Sequence, residues 1–240
     1  MTKVKLCGIT RLEDARLAAE AGAWAIGMIF VPESPRAVEL GAAEDIGAQM
    51  GRRVQVAGVF ANASMDELVA TADLCHLTLV QLHGDEGPAY AREVARRTGA
   101  RVIKAMPAKD PATVRSLRSF KVDFHLLDAY VPGMRGGTGK TFHWEYARHR
   151  DFRVPLVLSG GLNADNVAEA IRTVEPYAVD TASGTESSPG IKDPAKITAL
   201  MRAVAHADGP PEESPADRPP PTAHPVIRDP ITGDTVTERR

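Results

Sequence analysis

Eight short apolar runs, each followed by a stretch long enough for a helix, constrain this chain more than any other feature. They span 4–7, 25–30, 55–60, 77–82, 102–105, 124–128, 156–159 and 178–181. Near-continuous apolar strands imply burial on both faces, and parallel strands need crossover helices to connect them. The intervening segments supply those helices. Residues 12–20 place apolar side chains at helical spacing behind Thr10, a candidate N-cap. Ser64-Met65-Asp66-Glu67 has the form of a capping box, and Asn163 heads another helical pattern. Asp193-Pro194 sets a cap and a proline where a last helix should begin. The sixth helix, near 143–150, has the weakest pattern. Eight such units in about 205 residues predict an α/β fold, a single closed (β/α)8 TIM barrel near the small end of its size range. An open doubly wound sheet would usually have fewer strands and a Gly-x-Gly-x-x-Gly first turn, which Cys7-Gly8-Ile9-Thr10 does not provide.

The barrel is expected over 1–207. Residues 208–240 hold eight of the chain's 18 prolines and few large apolar residues, and they read as a disordered tail. No apolar stretch approaches the roughly 20 residues that span a bilayer, and the N-terminus lacks a signal-peptide core. A net charge of −2 gives no nucleic-acid footprint. Two cysteines, Cys7 and Cys75, make no disulfide framework, so a reduced cytoplasmic protein is expected.

In such a barrel the active site forms where strands end and their loops begin. Read in order, those points carry Cys7, Ser34-Pro35-Arg36, Asn62, His83-Gly84-Asp85, Lys104, Asp128, Ser159-Gly160-Gly161, and Asp180 with Ser183-Gly184. Cys7 and Asp128 could face each other as base and acid, an arrangement suited to a proton-transfer isomerisation. Buried cysteine is often only a small hydrophobe, and Asp128 could be a solvated strand-end acid. Arg36 is either a surface arginine or a fork for a substrate carboxylate. The loops after strands 7 and 8 are the usual phosphate site, and Gly160, Gly161, Ser183 and Gly184 fit it. His83 is placed at the substrate site rather than in direct proton transfer. Asp180 is expected among the substrate-binding residues, shaping the loop after strand 8 rather than performing chemistry. Cys75-His76 lacks metal-ligand spacing, so no metal is assigned. Gly136-Gly137-Thr138-Gly139-Lys140-Thr141 looks like a nucleotide P-loop, but position 134 is Met134 and the run follows strand 6. A lid after strand 6 is the better reading.

Taken together, these motifs resemble the phosphoribosylanthranilate isomerase family of tryptophan biosynthesis. The resemblance is carried by Lys5-Leu6-Cys7-Gly8-Ile9-Thr10, Ser34-Pro35-Arg36, Gly58-Val59-Phe60, Val80-Gln81-Leu82-His83-Gly84, Leu126-Leu127-Asp128 and the 136–142 run. It continues through Leu158-Ser159-Gly160-Gly161-Leu162-Asn163, Asp165-Asn166-Val167, Val179-Asp180, Ser183-Gly184, Glu186 and Pro189-Gly190. The match covers about 3–205. It implies a (β/α)8 barrel with no cofactor and an Amadori rearrangement of N-(5-phosphoribosyl)anthranilate to 1-(2-carboxyphenylamino)-1-deoxyribulose 5-phosphate. By position, Asp128 matches the family's general acid, Cys7 its general base and Arg36 the residue that binds the anthranilate carboxylate. Gly160, Gly161, Ser183 and Gly184 fall in its phosphate loops. The chain departs from the pattern at Ala182, where the family often has a second serine, and in the tail. The implied partner is a small phosphorylated substrate, with no nucleic acid and no membrane, acting as a monomer or homodimer. Two alternatives stand beside this reading. A histidine-pathway aldose–ketose isomerase would usually carry paired aspartates at strand ends 1 and 6, whereas strand 1 here ends in Cys7. A barrel that binds phosphorylated ligands without turning them over is the other.

Overall fold

The computed structural model describes residues 1–128, 147 and 153–209. Eight parallel strands close into a barrel in sequence order, β1 against β2 through β8, with β8 returning to β1. They are β1 (Lys3–Cys7), β2 (Ala25–Ile29), β3 (Gln55–Phe60), β4 (Leu79–Leu82), β5 (Arg101–Pro107), β6 (Phe124–Asp128), β7 (Leu156–Ser159) and β8 (Ala178–Thr181). A two-stranded hairpin follows, β9 (Glu186–Ser188) and β10 (Ile191–Lys192). Seven α-helices are described: α1 (Leu12–Glu20), α2 (Leu40–Met50), α3 (Met65–Leu74), α4 (Pro88–Thr98), α5 (Pro111–Ser116), α6 (Val167–Val174) and α7 (Pro194–Ala207). None of the described helices is long and apolar enough to cross a membrane. Of the expected sixth crossover helix, near 143–150, only residue 147 is described, and the 136–141 run and 210–240 lie outside the described residues.

Strand alternation sorts the buried residues into two layers. One side of the sheet packs on the helices through Leu6, Ile26, Val56, Leu82, Leu127 and Val179, against Leu68, Val94, Ile171 and Leu200. The other side fills the barrel with Ala25, Ala57, Leu79, Ile103, Phe124, Leu126, Val157 and Ala178. Each fully buried large aliphatic side chain contributes roughly 1.5–3 kcal/mol relative to exposure. The N-terminal end of the barrel is plugged by Trp24, Phe124 and Tyr177, which meet edge-on or tilted with centroids 5.3–5.5 Å apart. The apolar filling therefore sits low, and the polar groups collect at the other end.

Helix starts follow local capping chemistry with two differences from expectation. Ser64 accepts a hydrogen bond from the Glu67 N–H at 3.3 Å, and Asp193 accepts from Ala195 and Lys196. Thr10 does not cap α1. Its hydroxyl donates instead to the Gly190 carbonyl at 2.6 Å, and the cap position is Arg11. Asn163 stands outside α6, which begins after Asn166; the Asn166 side chain accepts from the Asn163 N–H at 2.9 Å. The two asparagines thus brace a turn, because short amide side chains compete locally for backbone groups.

Candidate active site

Cys7 ends β1 on the side that faces the barrel interior. Its register partner is Gly27, and two residues earlier Lys5 pairs with Ala25 of the interior layer. Asp128 shares that inward parity with Leu126 on β6, and its register partner on β7 is Ser159. Closure of the barrel brings the ends of all eight strands to one rim, so the thiol and the carboxyl open on the same mouth. Cys7 is buried, whereas the Asp128 side chain keeps 22% of its surface exposed.

Beneath the thiol lies an ion pair inside the barrel. Lys5 Nζ donates to Asp180 Oδ1 at 3.0 Å, and both side chains are buried. Gly27 makes room for them. A Cβ there would lie 2.8 Å from Cys7 Sγ and 3.0 Å from Lys5 Nζ. Burial works against the Lys5 charge, but Asp180 and the thiol outweigh it and hold its pKa above the usual lysine value. Burial also pushes the Cys7 thiol up, and Lys5 and Lys192 offset only part of that. Burial therefore favours the protonated thiol, and the neighbouring ammonium favours the thiolate. Asp180 is held as the counter-ion of Lys5, because its position on β8 aims it into the interior.

His83 stands just past β4. Its Nε2 lies 3.5 Å from Asp128 Oδ2, and its Nδ1 lies 3.0 Å from Gln81 Nε2. If the Gln81 amide donates to Nδ1, a neutral ring carries its hydrogen on Nε2, toward Asp128. Lys104, expected at the mouth, is turned to the helix side of the sheet, since it shares register with Leu82 and His125. There it donates to the Gly84 carbonyl at 2.7 Å and to Glu86 at 2.9 Å. Glu86 in turn accepts from the Asn62 and Gly84 N–H groups, so Lys104 and Asn62 pin the loop that carries His83.

The loops after β7 and β8 meet. Gly160 and Gly161 both take positive φ, +103° and +65°. Thr181 Oγ1 donates to the Leu162 carbonyl at 2.6 Å, and a Cβ on Gly184 would lie 2.0 Å from that same oxygen. Ser183 and Gly184 open a 3-10 turn, Ser183–Thr185. Arg36, after β2, is paired with Glu186: Nε lies 2.9 and 3.0 Å from the two carboxylate oxygens and Nη2 lies 2.7 Å from Oε2. That hydrogen bonding holds the Arg36 pKa above its ordinary value.

In the sequence, Lys5, Gln81 and Glu186 stand only within the motifs of the resemblance and carry no role, and Lys192 is not singled out. Lys5 had a signal, a cation between two apolar residues in a buried strand, two positions before the thiol. The contacts of Glu186 and Lys192 had no signal, because their hairpin is too short to show a period.

The comparisons with known proteins converge. A profile of the family described as N-(5'phosphoribosyl)anthranilate (PRA) isomerase matches residues 4–203. The N-(5'-phosphoribosyl)anthranilate isomerase of Citrifermentans bemidjiense is 49% identical over 201 residues, 84% of this chain and 96% of that protein. The phosphoribosyl anthranilate isomerase of Thermotoga maritima superposes with a TM-score of 0.77 at 40% identity, over 86% of this chain and all of that one. A phosphoribosyl anthranilate isomerase in complex with reduced 1-(o-carboxyphenylamino)-1-deoxyribulose 5-phosphate has a TM-score of 0.73 at 38% identity, with 86% and 100% covered. On its sequence and its barrel, this chain belongs to the N-(5'-phosphoribosyl)anthranilate isomerase family.

Proposed function

We propose that this chain catalyses the Amadori rearrangement of N-(5'-phosphoribosyl)anthranilate in tryptophan biosynthesis, with Asp128 as general acid and Cys7 as general base. The observation that carries the roles is an inward thiol and an inward carboxyl on one rim, the thiol backed by a buried ammonium. Asp128 gives a proton to the furanose ring oxygen as the C1–O bond breaks, and the anthranilate nitrogen supplies the electron pair that forms the C1–N double bond. The Cys7 thiolate then takes the proton from C2, leaving an enolamine. The enolamine gains a proton at C1 and loses its hydroxyl proton to become the aminoketose. Asp128 and Cys7 supply the first delivery and the first removal, and the return of the enolamine to the ketone adds one more of each, so the protons balance.

The meeting loops of Gly160, Gly161, Ser183 and Gly184 suit the phosphate, and Arg36 suits the anthranilate carboxylate. Anchored at both ends, the ribose is held between acid and base. His83 fits the rim beside Asp128 as a substrate contact. Asp180 acts from beneath, through Lys5. A free Cys7 fits a reducing compartment such as the cytoplasm.

The test is loss of anthranilate-type fluorescence on substrate made in situ, with wild type, Cys7→Ala and Asp128→Asn compared. Turnover in the wild type should fall at least about 10²-fold in each variant. Near-normal turnover in either one removes that residue from its role.

A further inference from the structure

We infer that Glu186 is the positioning residue that sets the Arg36 fork for the substrate carboxylate, and that Lys192 locks this carboxylate to the Cys7 segment. The inference rests on the assignment of Arg36 to that carboxylate. Glu186 engages Arg36 by one edge only, through Nε and Nη2. The fork has five donors in a plane, so the Nη1/Nη2 edge keeps the geometry to receive a second carboxylate. Arg36 retains 21% side-chain exposure while Glu186 retains 3%. The guanidinium is open to an incoming anion, whereas its holder is not.

Two further contacts keep Glu186 from being a competitor that swings away. Lys192 Nζ lies 3.4 Å from Glu186 Oε1, and it donates to the carbonyls of Cys7 at 2.7 Å and Ala182 at 3.0 Å and to Thr185 Oγ1 at 3.2 Å. The Gly190 N–H also approaches Oε1 at 3.4 Å. A Cβ on Gly8, the residue after the base, would lie 2.8 Å from Arg36 Cδ and 3.1 Å from Glu186 Oε1. One buried carboxylate and one buried ammonium therefore join the loop after β1, the loop after β2, the turn after β8 and the β9–β10 hairpin. Their joint effect is a fixed offset between the arginine fork and the thiol.

The opposite role predicts the opposite sign. If Glu186 merely occupied the fork until substrate displaced it, removing its charge would tighten binding. The probes are reduced 1-(o-carboxyphenylamino)-1-deoxyribulose 5-phosphate and the same phosphate ester with a plain phenyl ring, titrated by calorimetry. Wild type should prefer the carboxylated probe. In Glu186→Gln that preference should shrink about tenfold, with affinity for the phenyl probe unchanged and with KM raised more than kcat is lowered. Glu186→Asp keeps a carboxylate beside Lys192 but falls one methylene short of Arg36, so it should lose the preference with the melting temperature retained. A preference kept or enlarged in a folded Glu186→Gln or Glu186→Asp protein overturns the inference. Arg36→Met separates the two readings. If it too keeps the preference, the carboxylate site is elsewhere and the underlying assignment fails; if it alone loses the preference, only the role of Glu186 fails.

Discussion

Lys5 shows how one side chain can alter the chemistry of another two positions away. Inside a barrel an ammonium would normally be expelled or neutralised, since the desolvation of a lone charge is severe. Here Asp180 at 3.0 Å keeps it charged, and the charge lies beside the Cys7 thiol. The thiol pKa is raised by burial and pulled back by Lys5, so removing that cation should raise it further. Lys5→Met should therefore slow alkylation of Cys7 by a small reagent at any fixed pH below the thiol pKa. Asp180 raises the thiol as well, so adding Asp180→Asn to Lys5→Met should return part of the shift. The measurement is alkylation rate against pH in a Cys75→Ala background, which leaves one thiol to read. An unchanged profile in Lys5→Met would remove Lys5 from the control of the base. Cys75 is the contrasting case: burial pushes its thiol up to about 11, and it packs with the helix-facing core away from the mouth.

At the scale of elements, the strands were legible because their burial on both faces leaves a continuous apolar run. The bounds of β3, β6, β7 and β8 agree with the runs in the sequence, while β5 extends to Pro107. Caps were legible where a side chain had one obvious target, as at Ser64 and Asp193, and not where tertiary contact took the hydroxyl, as at Thr10. The hairpin of β9 and β10 escaped notice, and with it the partner of Arg36. The glycine loops read as phosphate binders from their place after strands 7 and 8, but their close approach is visible only in space. Gly184 meets Leu162 O so closely that Gly184→Ala must drive the loops after β7 and β8 apart. Gly161→Ala provides the comparison: no atom lies within 4 Å of its Cβ, so it carries only left-handed strain of about 1–2 kcal/mol. Gly184→Ala should raise KM about tenfold or more with a smaller change in kcat, because binding of the phosphate handle is disturbed away from the reacting carbon. Gly161→Ala should lower the melting temperature and raise KM less than Gly184→Ala does. Equal KM effects in the two variants would mean that loop spacing does not matter.

For the whole molecule, the question is where the barrel ends. Its last helix, α7, buries Ile197, Leu200 and Val204 against the core and finishes at Ala207. Asp208 follows as the C-cap residue, and its carboxylate accepts from the Thr2 N–H at 2.5 Å and the Thr2 hydroxyl at 2.8 Å. Those two bonds tie the start of β1 to the end of α7, so the first and last of the described elements are joined beside the aromatic plug. Met1–Gly209 accordingly forms one compact unit. We place the boundary after Gly209, two residues beyond the 207/208 division that composition suggests. A chain ended after Gly209 should match the full-length protein in melting temperature and turnover. A chain ended after Ala207 loses both exposed bonds to Thr2, worth about 1 kcal/mol together, and should melt roughly 2–4 °C lower at unchanged kcat. Thermal melts of the three lengths decide it. A large drop already at Gly209 would show that 210–240 supports the barrel, and equal melting of the two shortened chains would show that the Thr2–Asp208 tie contributes nothing.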